Sequence, residues 1–266
     1  MTRPLDRNFP VALHDQPVEP ETPQIRLAPP PPARTQTSLM RKFEVLSLLP
    51  NGDTRSSHHI APATPLFENC ATAFARGTLI QTTQGPMAIE DMLPGDLVEC
   101  VDADPAKVLW IGSTMMVPSA PGQAEHMRHL VRIMSDSFGI GRPMPDLLLG
   151  PAARLLQDKH AYHLVTGNRR LFLPVLELAD GMGLIEVTPP SPVRVYHIAL
   201  ERHAAIRAAG LAVESYHPGE YWVEGVGQNM MNLFLSLFPH ISKPEDFGPL
   251  AYPQTTRDIL DSLSAA

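Results

Sequence analysis

Short apolar stretches alternate with turn-forming residues between residues 78 and 208, at spacings of about ten residues. Runs of this length are typical of antiparallel strands, and no long stretch carries the periodicity of a helix. The sequence therefore predicts an all-β domain. The predicted strands cover residues 78–83, 97–101, 107–117, 130–134, 147–149, 154–156, 162–166, 171–173, 185–187, 194–200 and 205–208.

A further pair of strands is predicted ahead of this domain. Residues 40–49 are predicted as a strand, residues 50–53 as a turn containing proline, asparagine and glycine, and residues 54–60 as the return strand. We therefore assign residues 39–69 to a hairpin and linker, and residues 70–225 to the β domain.

The two ends of the chain differ from the domain in their proline content. Residues 1–38 contain nine prolines, which predicts a disordered, extended arm because proline supports neither helices nor sheet ladders. Alternatively, this arm docks on an unidentified protein partner. Residues 226–266 are also rich in proline and are predicted as an irregular, wrapping tail, with a short terminal helix over residues 255–262.

Composition narrows the class of protein. Hydrophobic residues make up 44% of the 266 residues and charged residues 18%, which suits a folded core. The net charge of −7 without a basic cluster argues against a nucleic-acid partner. The first residues lack the apolar stretch of a signal peptide, and no segment approaches the ~20 apolar residues of a membrane span. We expect a cytoplasmic location by default, while export by a C-terminal signal stays open.

The chain has two cysteines, Cys70 and Cys100. They provide neither a disulfide framework nor a paired metal-binding motif, although one disulfide between them is an alternative to two buried thiols. Phosphate-binding, dinucleotide-binding and zinc-hydrolase motifs are missing from the sequence. We expect no cofactor.

Two blocks of sequence are more specific than the rest. The first contains Ala73-Phe74-Ala75-Arg76-Gly77-Thr78, Ile89-Glu90-Asp91, Leu93-Pro94-Gly95-Asp96 and Trp110-Ile111-Gly112. The second contains Val195-Tyr196-His197-Ile198-Ala199-Leu200-Glu201-Arg202-His203, then Gly210 and Val213-Glu214-Ser215-Tyr216. Together they resemble Hint (hedgehog/intein) autoprocessing domains, most closely the bacterial family. The resemblance covers residues 70 to 217 and implies a β-rich horseshoe of two pseudo-symmetric halves.

The resemblance implies an acyl shift, in which a cysteine or serine attacks the carbonyl immediately before it. Ala73 stands at the position of that nucleophile. Cys70 is a candidate substitute, but an acyl shift joins a side chain to its own preceding carbonyl. Cys70 would therefore act only at the Asn69–Cys70 bond, ~10 Å of extended chain from the matched position.

The resemblance also implies a histidine that protonates the departing amide nitrogen, in a Ser/Thr-x-x-His element. Residues 146–156 keep the frame of that element, but Gly150 stands at the Ser/Thr position and Ala153 at the histidine position. Neither side chain donates or accepts a hydrogen bond. Ala73, Gly150 and Ala153 are therefore interpreted as vestigial catalytic positions, either natural or introduced by engineering.

His197 and His203 are the remaining candidates for chemistry. They are predicted on one strand, six residues apart and therefore on the same face, where they form a residual polar pocket with Glu201 or simply fill buried positions. Two histidines without a third ligand do not make a zinc site. The sequence predicts a degenerate Hint domain without autoprocessing activity that serves as a scaffold or interaction module. The alternative is an active Hint domain that cleaves itself near residues 69–73 by a variant route of the N–S acyl shift.

Overall fold

The computed structural model of the chain describes residues 39–264, and the predicted proline-rich arm lies outside them. Strands dominate these residues. In chain order they are β1 Met40–Leu48, β2 Thr54–Pro62, β3 Phe74–Ala75, β4 Leu79–Thr82, β5 Gly85–Ala88, β6 Leu97–Cys100, β7 Ala103–Met116, β8 Leu130–Ile133, β9 Leu147–Leu149, β10 Arg154–Asp158, β11 Arg170–Pro174, β12 Leu184–Val187, β13 Val193–Leu200, β14 Ala205–Ala208 and β15 Leu211–Glu214.

Residues 39–264 also contain four short α-helices, α1 Pro65–Glu68, α2 His160–Thr166, α3 Gln228–Leu235 and α4 Arg257–Ser264. All pairings between the strands are antiparallel. They form one 15-stranded open sheet in the order β11-β10-β15-β14-β4-β6-β7-β13-β3-β9-β8-β12, with β5 added on β4 and the β1–β2 hairpin added on β7. The predicted all-β fold is confirmed.

The long strand β7 organises the centre of the sheet. It pairs with β1 on one side, where Val45 lies opposite Gly112, and with β13 on the other, where His197 lies opposite the same glycine. A Cβ atom on Gly112 would lie 2.0 Å from the Trp110 ring, so glycine is required for the indole to lie over the strand. This pairing fixes the upstream hairpin and the His197 strand on the same central strand.

Most of the buried apolar side chains form two clusters. The larger cluster contains side chains from most of the strands, among them Ala73, Phe74, Ala153 and Tyr196. The second cluster is built from three separate parts of the chain, and we call it the aromatic cluster. Its buried members are Phe43, Val45, Ala61, Phe67, Cys70, Ala71, Trp110, Ala199, Tyr216, Phe234, Leu237, Phe238 and Ile241.

Several predicted elements differ from the observed ones. Residues 162–166 were expected to be a strand but belong to α2, which ends at Gly167 in the left-handed conformation typical of a helix end. Strands β3, β5 and β15 and helix α3 were not predicted. The predicted terminal helix is present as α4. Within residues 39–264, none of the helices has the length and apolar character needed to cross a membrane.

Candidate functional site

Ala73 lies in the interior, between two strands that hold its backbone. Its amide donates to the carbonyl of Tyr196 in β13 (2.8 Å), and its carbonyl accepts from the amide of Gly150, just after β9 (2.7 Å). These bonds extend the pairing of β3, in which Phe74 lies opposite Tyr196 and Leu149. The side chain is fully buried. The matched nucleophile position is therefore a fixed, apolar position in the sheet.

Gly150 touches the peptide bond that precedes Ala73. A Cβ atom built on Gly150 would lie 2.1 Å from the carbonyl oxygen of Thr72 and 2.9 Å from its carbonyl carbon. Real Cβ atoms do not approach backbone this closely. A serine or threonine at position 150 therefore requires the backbone of one segment to move.

The Thr72 carbonyl keeps a backbone partner. The amide of Ala152 donates to this oxygen (3.1 Å), and the Thr72 hydroxyl donates to the Glu68 carbonyl (2.9 Å). Ala153, one residue further along, is fully buried, and its methyl group offers no proton donor. Ala73 and Gly150, two of the three predicted catalytic positions, thus meet at one peptide bond, and within residues 39–264 its carbonyl oxygen accepts from the backbone amide of Ala152.

Cys70 does not have the environment of a reactive thiol. It is fully buried, and its thiol donates to the Phe67 carbonyl (3.0 Å). Burial raises the pKa of the Cys70 thiol well above its usual value, which suppresses the thiolate that acts as nucleophile. Cys100 is also buried, and burial raises its pKa in the same direction. Both cysteines are free thiols.

His197 lies on β13 with its ring buried between aromatic neighbours. Its centroid is 5.6 Å from that of Phe74 and 5.2 Å from that of Tyr216, in both cases edge to face. Burial, with smaller contributions from Arg154 and His203, lowers the pKa of His197 to about 3. The ring lines a cavity of about 40 Å³ together with Asn69, which is room for one water molecule.

His203 belongs to a different network, since β13 ends at Leu200 and the chain turns before it reaches this residue. The expectation that His197 and His203 project from one strand is wrong. The amide of Ala251 donates to His203 Nδ1 (2.9 Å), so the ring hydrogen is on Nε2 and is donated to Glu214 Oε1 (3.1 Å). Both nitrogens are therefore engaged.

Glu214 is the centre of this network and was not recognised as such from the sequence. Its buried carboxylate also accepts from Gln254 Nε2 (2.8 Å) and from Arg154 Nη1 (3.3 Å). The Glu-Ser-Tyr part of the second sequence block is the pattern that could have indicated the importance of this glutamate. Glu201, which was expected beside the histidines, is instead an exposed residue beside Lys107 and Arg202.

Residues of the C-terminal tail close this side of the domain. The carbonyl of Pro253 accepts from the amide of Phe172, and the amide of Thr255 donates to the carbonyl of the same phenylalanine. The indole of Trp110 donates to the carbonyl of Leu237 (2.6 Å). Together with Ala251 and Gln254, these contacts place the tail over the histidine network.

No group of three or more histidine, cysteine, aspartate or glutamate side chains within residues 39–264 is arranged to hold a metal ion. What the site offers is backbone donors, two histidines and a buried carboxylate, without an accessible nucleophile.

The family model described as the Hint domain matches residues 72–220, more than half of the chain. The chain belongs to the Hint domain family. The match begins at Thr72, whose carbonyl immediately precedes Ala73. The hairpin of β1 and β2 and the tail that contains α3 and α4 flank the Hint domain, and both contribute to its aromatic cluster.

Two solved structures are similar to this Hint domain. One is the bacterial intein-like domain from Clostridium thermocellum, with 14% identity over 55% of this chain and 99% of the other and a TM-score of 0.37. The second is a DnaB intein from Synechocystis sp. PCC 6803, with 14% identity over 55% of this chain and all of the other and a TM-score of 0.33. No curated protein matches the chain.

Proposed function

We propose that this protein is a Hint domain without autoprocessing activity that serves as a rigid scaffold and interaction module. The observation that carries the proposal is the packing around one peptide bond. Ala73 and Ala153 supply no nucleophile and no proton donor, and Gly150 lies so close to the Thr72 carbonyl that a Cβ atom has no room there.

The segment upstream of this bond supports the same proposal, because it is built into the fold. Strand β1 lies between β2 and β7, with five residue pairs to β7 from Phe43 to Ser47. Phe43 and Phe67 are fully buried in the aromatic cluster. A segment that is released by cleavage has to leave, and removal of these strands and rings would expose the core.

A buried ion pair within the same upstream segment also stabilises its position in the fold. The Arg41 guanidinium donates twice to Glu68 Oε1, at 3.1 and 2.9 Å, once to Gln123 Oε1 and once to the Met115 carbonyl. The Arg41 and Glu68 side chains are nearly inaccessible. Separation of such a pair leaves an uncompensated charge in an apolar surrounding, which is strongly unfavourable.

The C-terminal tail also holds the upstream segment in place. Phe234, Leu237 and Phe238 pack in the aromatic cluster beside Phe67, and the ring centroids of Phe67 and Phe234 are 5.8 Å apart. The upstream hairpin, the Hint domain and the tail thus share one apolar interior. That arrangement suits a permanent structural unit rather than a precursor of two products.

Self-cleavage near residues 69–73 is the alternative function. It depends on Cys70 because no other residue in 69–73 carries a thiol. The thiol of Cys70 is buried, is engaged with the Phe67 carbonyl and has a raised pKa. These features disfavour the thiolate that the reaction needs.

Hydrogen–deuterium exchange of the full chain tests the proposal. If the upstream segment is a permanent part of the unit, the amides of β1 that pair with β7 exchange as slowly as those between β7 and β13. The hairpin turn at residues 50–53 exchanges quickly and is the internal control. Exchange of the β1 amides about 100-fold faster than the β7–β13 amides contradicts the proposal, because the segment would then detach on its own.

A further inference from the structure

An open groove runs along the tail side of the domain, beside the histidine network. It consists of two adjoining cavities of about 580 and 300 Å³ that share Gly219, Glu220, Trp222 and Leu250. Its walls come from the segment after Tyr216 and from the tail around Pro244 to Gln254. Two adjoining open cavities suit an extended chain better than a compact small molecule.

The groove is built before any ligand arrives. His217 connects its two walls, because its Nδ1 accepts from the Gly219 amide and its Nε2 donates to the Gly248 carbonyl, both at 3.0 Å. The Trp222 ring packs against Phe234 and Phe247, whose ring centroids lie 4.8 and 5.9 Å from its own. A preformed site loses less conformational entropy when it binds.

The charges that line the groove have one sign. Glu220 and Glu245 are exposed carboxylates, and among residues 39–264 no lysine or arginine lines the two cavities. Burial lowers the pKa of His217, so this ring adds no positive charge at neutral pH. The groove is thus complementary to a cationic ligand.

The aromatic residues of the groove restrict the kind of ligand further. Tyr221 is 70% exposed. Trp222 is half-buried, and its Nε1 makes no hydrogen bond to any residue in 39–264. Exposed rings with a free indole N–H bind segments in the polyproline II conformation, whose rings pack on aromatic faces and whose carbonyls have no internal partner. Arginine also packs on such rings.

We propose that this groove binds a proline-rich peptide carrying arginine, presented by a partner protein. Trp222 and Tyr221 contact the proline rings, the Trp222 indole donates to a peptide carbonyl, and Glu220 and Glu245 pair with the guanidinium groups. The proposal rests on the proposed function for its biological meaning, since it names the partner class of the interaction module. The binding itself needs no catalytic residue.

Fluorescence anisotropy with synthetic peptides and the full chain tests it. The probe is a fluorescein-labelled peptide of six prolines flanked by arginines, ~25 Å long in the polyproline II conformation. One control peptide carries glutamates in place of the arginines, and another carries six serines in place of the prolines. We expect saturable binding of the probe and at least about tenfold weaker binding of each control.

Matched variants place the binding in the groove. We expect Trp222→Ala and Tyr221→Ala each to weaken binding of the probe by about tenfold, and the double variant Glu220→Gln, Glu245→Gln to do the same. Tyr221 is exposed enough for its variant to fold even if the Trp222 variant does not. Glu186→Gln, an exposed glutamate on the edge strand β12, is the control and leaves binding unchanged.

Two results overturn the proposal. One is the absence of saturation of the probe at about 1 mM protein, an affinity too weak for a specific site. The other is binding that is equal for all three peptides or unaffected by the groove variants. Mass spectrometry of the same samples separates this outcome from failure of the proposed function, because self-cleavage changes the mass of the chain whether or not the peptide binds.

Discussion

Gly150 and Thr72 are in direct backbone contact beside Ala73, and a Cβ atom on the glycine would lie 2.1 Å from the threonine carbonyl oxygen. We therefore expect Gly150→Ala to lower the free energy of unfolding by about 3 kcal/mol, since both segments are held in the sheet and neither yields easily. Urea denaturation followed by tryptophan fluorescence measures this difference.

Gly227→Ala is the matched control for this substitution. A Cβ atom on Gly227 meets nothing within 4 Å and its backbone has an ordinary conformation. The control is expected to change stability by no more than about 1 kcal/mol. Equal effects of the two substitutions would show that the close contact at Gly150 is not what makes that position intolerant.

The buried pair of Arg41 and Glu68 gives a second prediction. Glu68→Ala leaves the guanidinium buried without its carboxylate and is expected to cost about 3 kcal/mol or more. The double variant Arg41→Met, Glu68→Leu is expected to recover most of that loss because it removes both charges. Lys42→Ala, which breaks the exposed pair with Glu44, is the control and costs about 0.5 kcal/mol at most. No recovery in the double variant would contradict this account.

The tail contributes a third prediction, through Phe234 on α3. This side chain is fully buried against Phe67, Trp222 and Phe238, so Phe234→Ala is expected to cost about 3 to 5 kcal/mol. Asn229→Ala, an exposed position on the same helix, is the control. A small loss for Phe234→Ala, similar to that of the control, would mean that the tail docks only weakly on the domain.

Acid sensitivity follows from the buried histidines. The pKa is lowered from 6.5 to about 3 for His197 and to about 4 for His240, in both cases mainly by burial. Between pH 6.5 and 5 the unfolded chain binds protons at these rings and the folded chain does not. The contribution of the two histidines to the free energy of unfolding is therefore complete above pH 6.5 and is lost as the pH falls.

The expected slope is about 1.4 kcal/mol per pH unit for each histidine once the unfolded ring is protonated. His197→Gln removes one proton from this difference. Denaturation curves collected from pH 7.5 to 5 should therefore give a shallower decline for the variant than for the native chain. Parallel declines would show that His197 does not exclude protons in the folded state.

Local sequence was enough for most strands of the Hint domain. Strands β4 and β6 follow or precede turns with glycine at positive φ, such as Gly77 and Gly95, and such turns depend on neighbouring residues alone. The prediction of a strand over residues 162–166 is wrong, and it arose because tyrosine, valine and threonine favour strands. In the structure these residues end a helix that is closed by Gly167, whose left-handed conformation lets its amide donate to the His163 carbonyl.

Ala73, Gly150 and Ala153 are predicted as vestigial positions from a recognisable frame in the sequence, but their surroundings could not be predicted. The closeness of Gly150 to Thr72 joins residues 78 positions apart, and the bond from Ala251 to His203 spans 48 positions. Neither has a local pattern. Helix α3 was missed for a related reason, since the aromatic cluster that stabilises it is assembled from three distant segments.

The intact mass of the freshly purified chain, before and after incubation with hydroxylamine, tests the central claim most directly, because hydroxylamine cleaves any thioester or ester formed by an acyl shift. The account predicts a single full-length species of 29.2 kDa in both samples. A fragment that begins at Cys70 or at Ala73, in either sample, would contradict it.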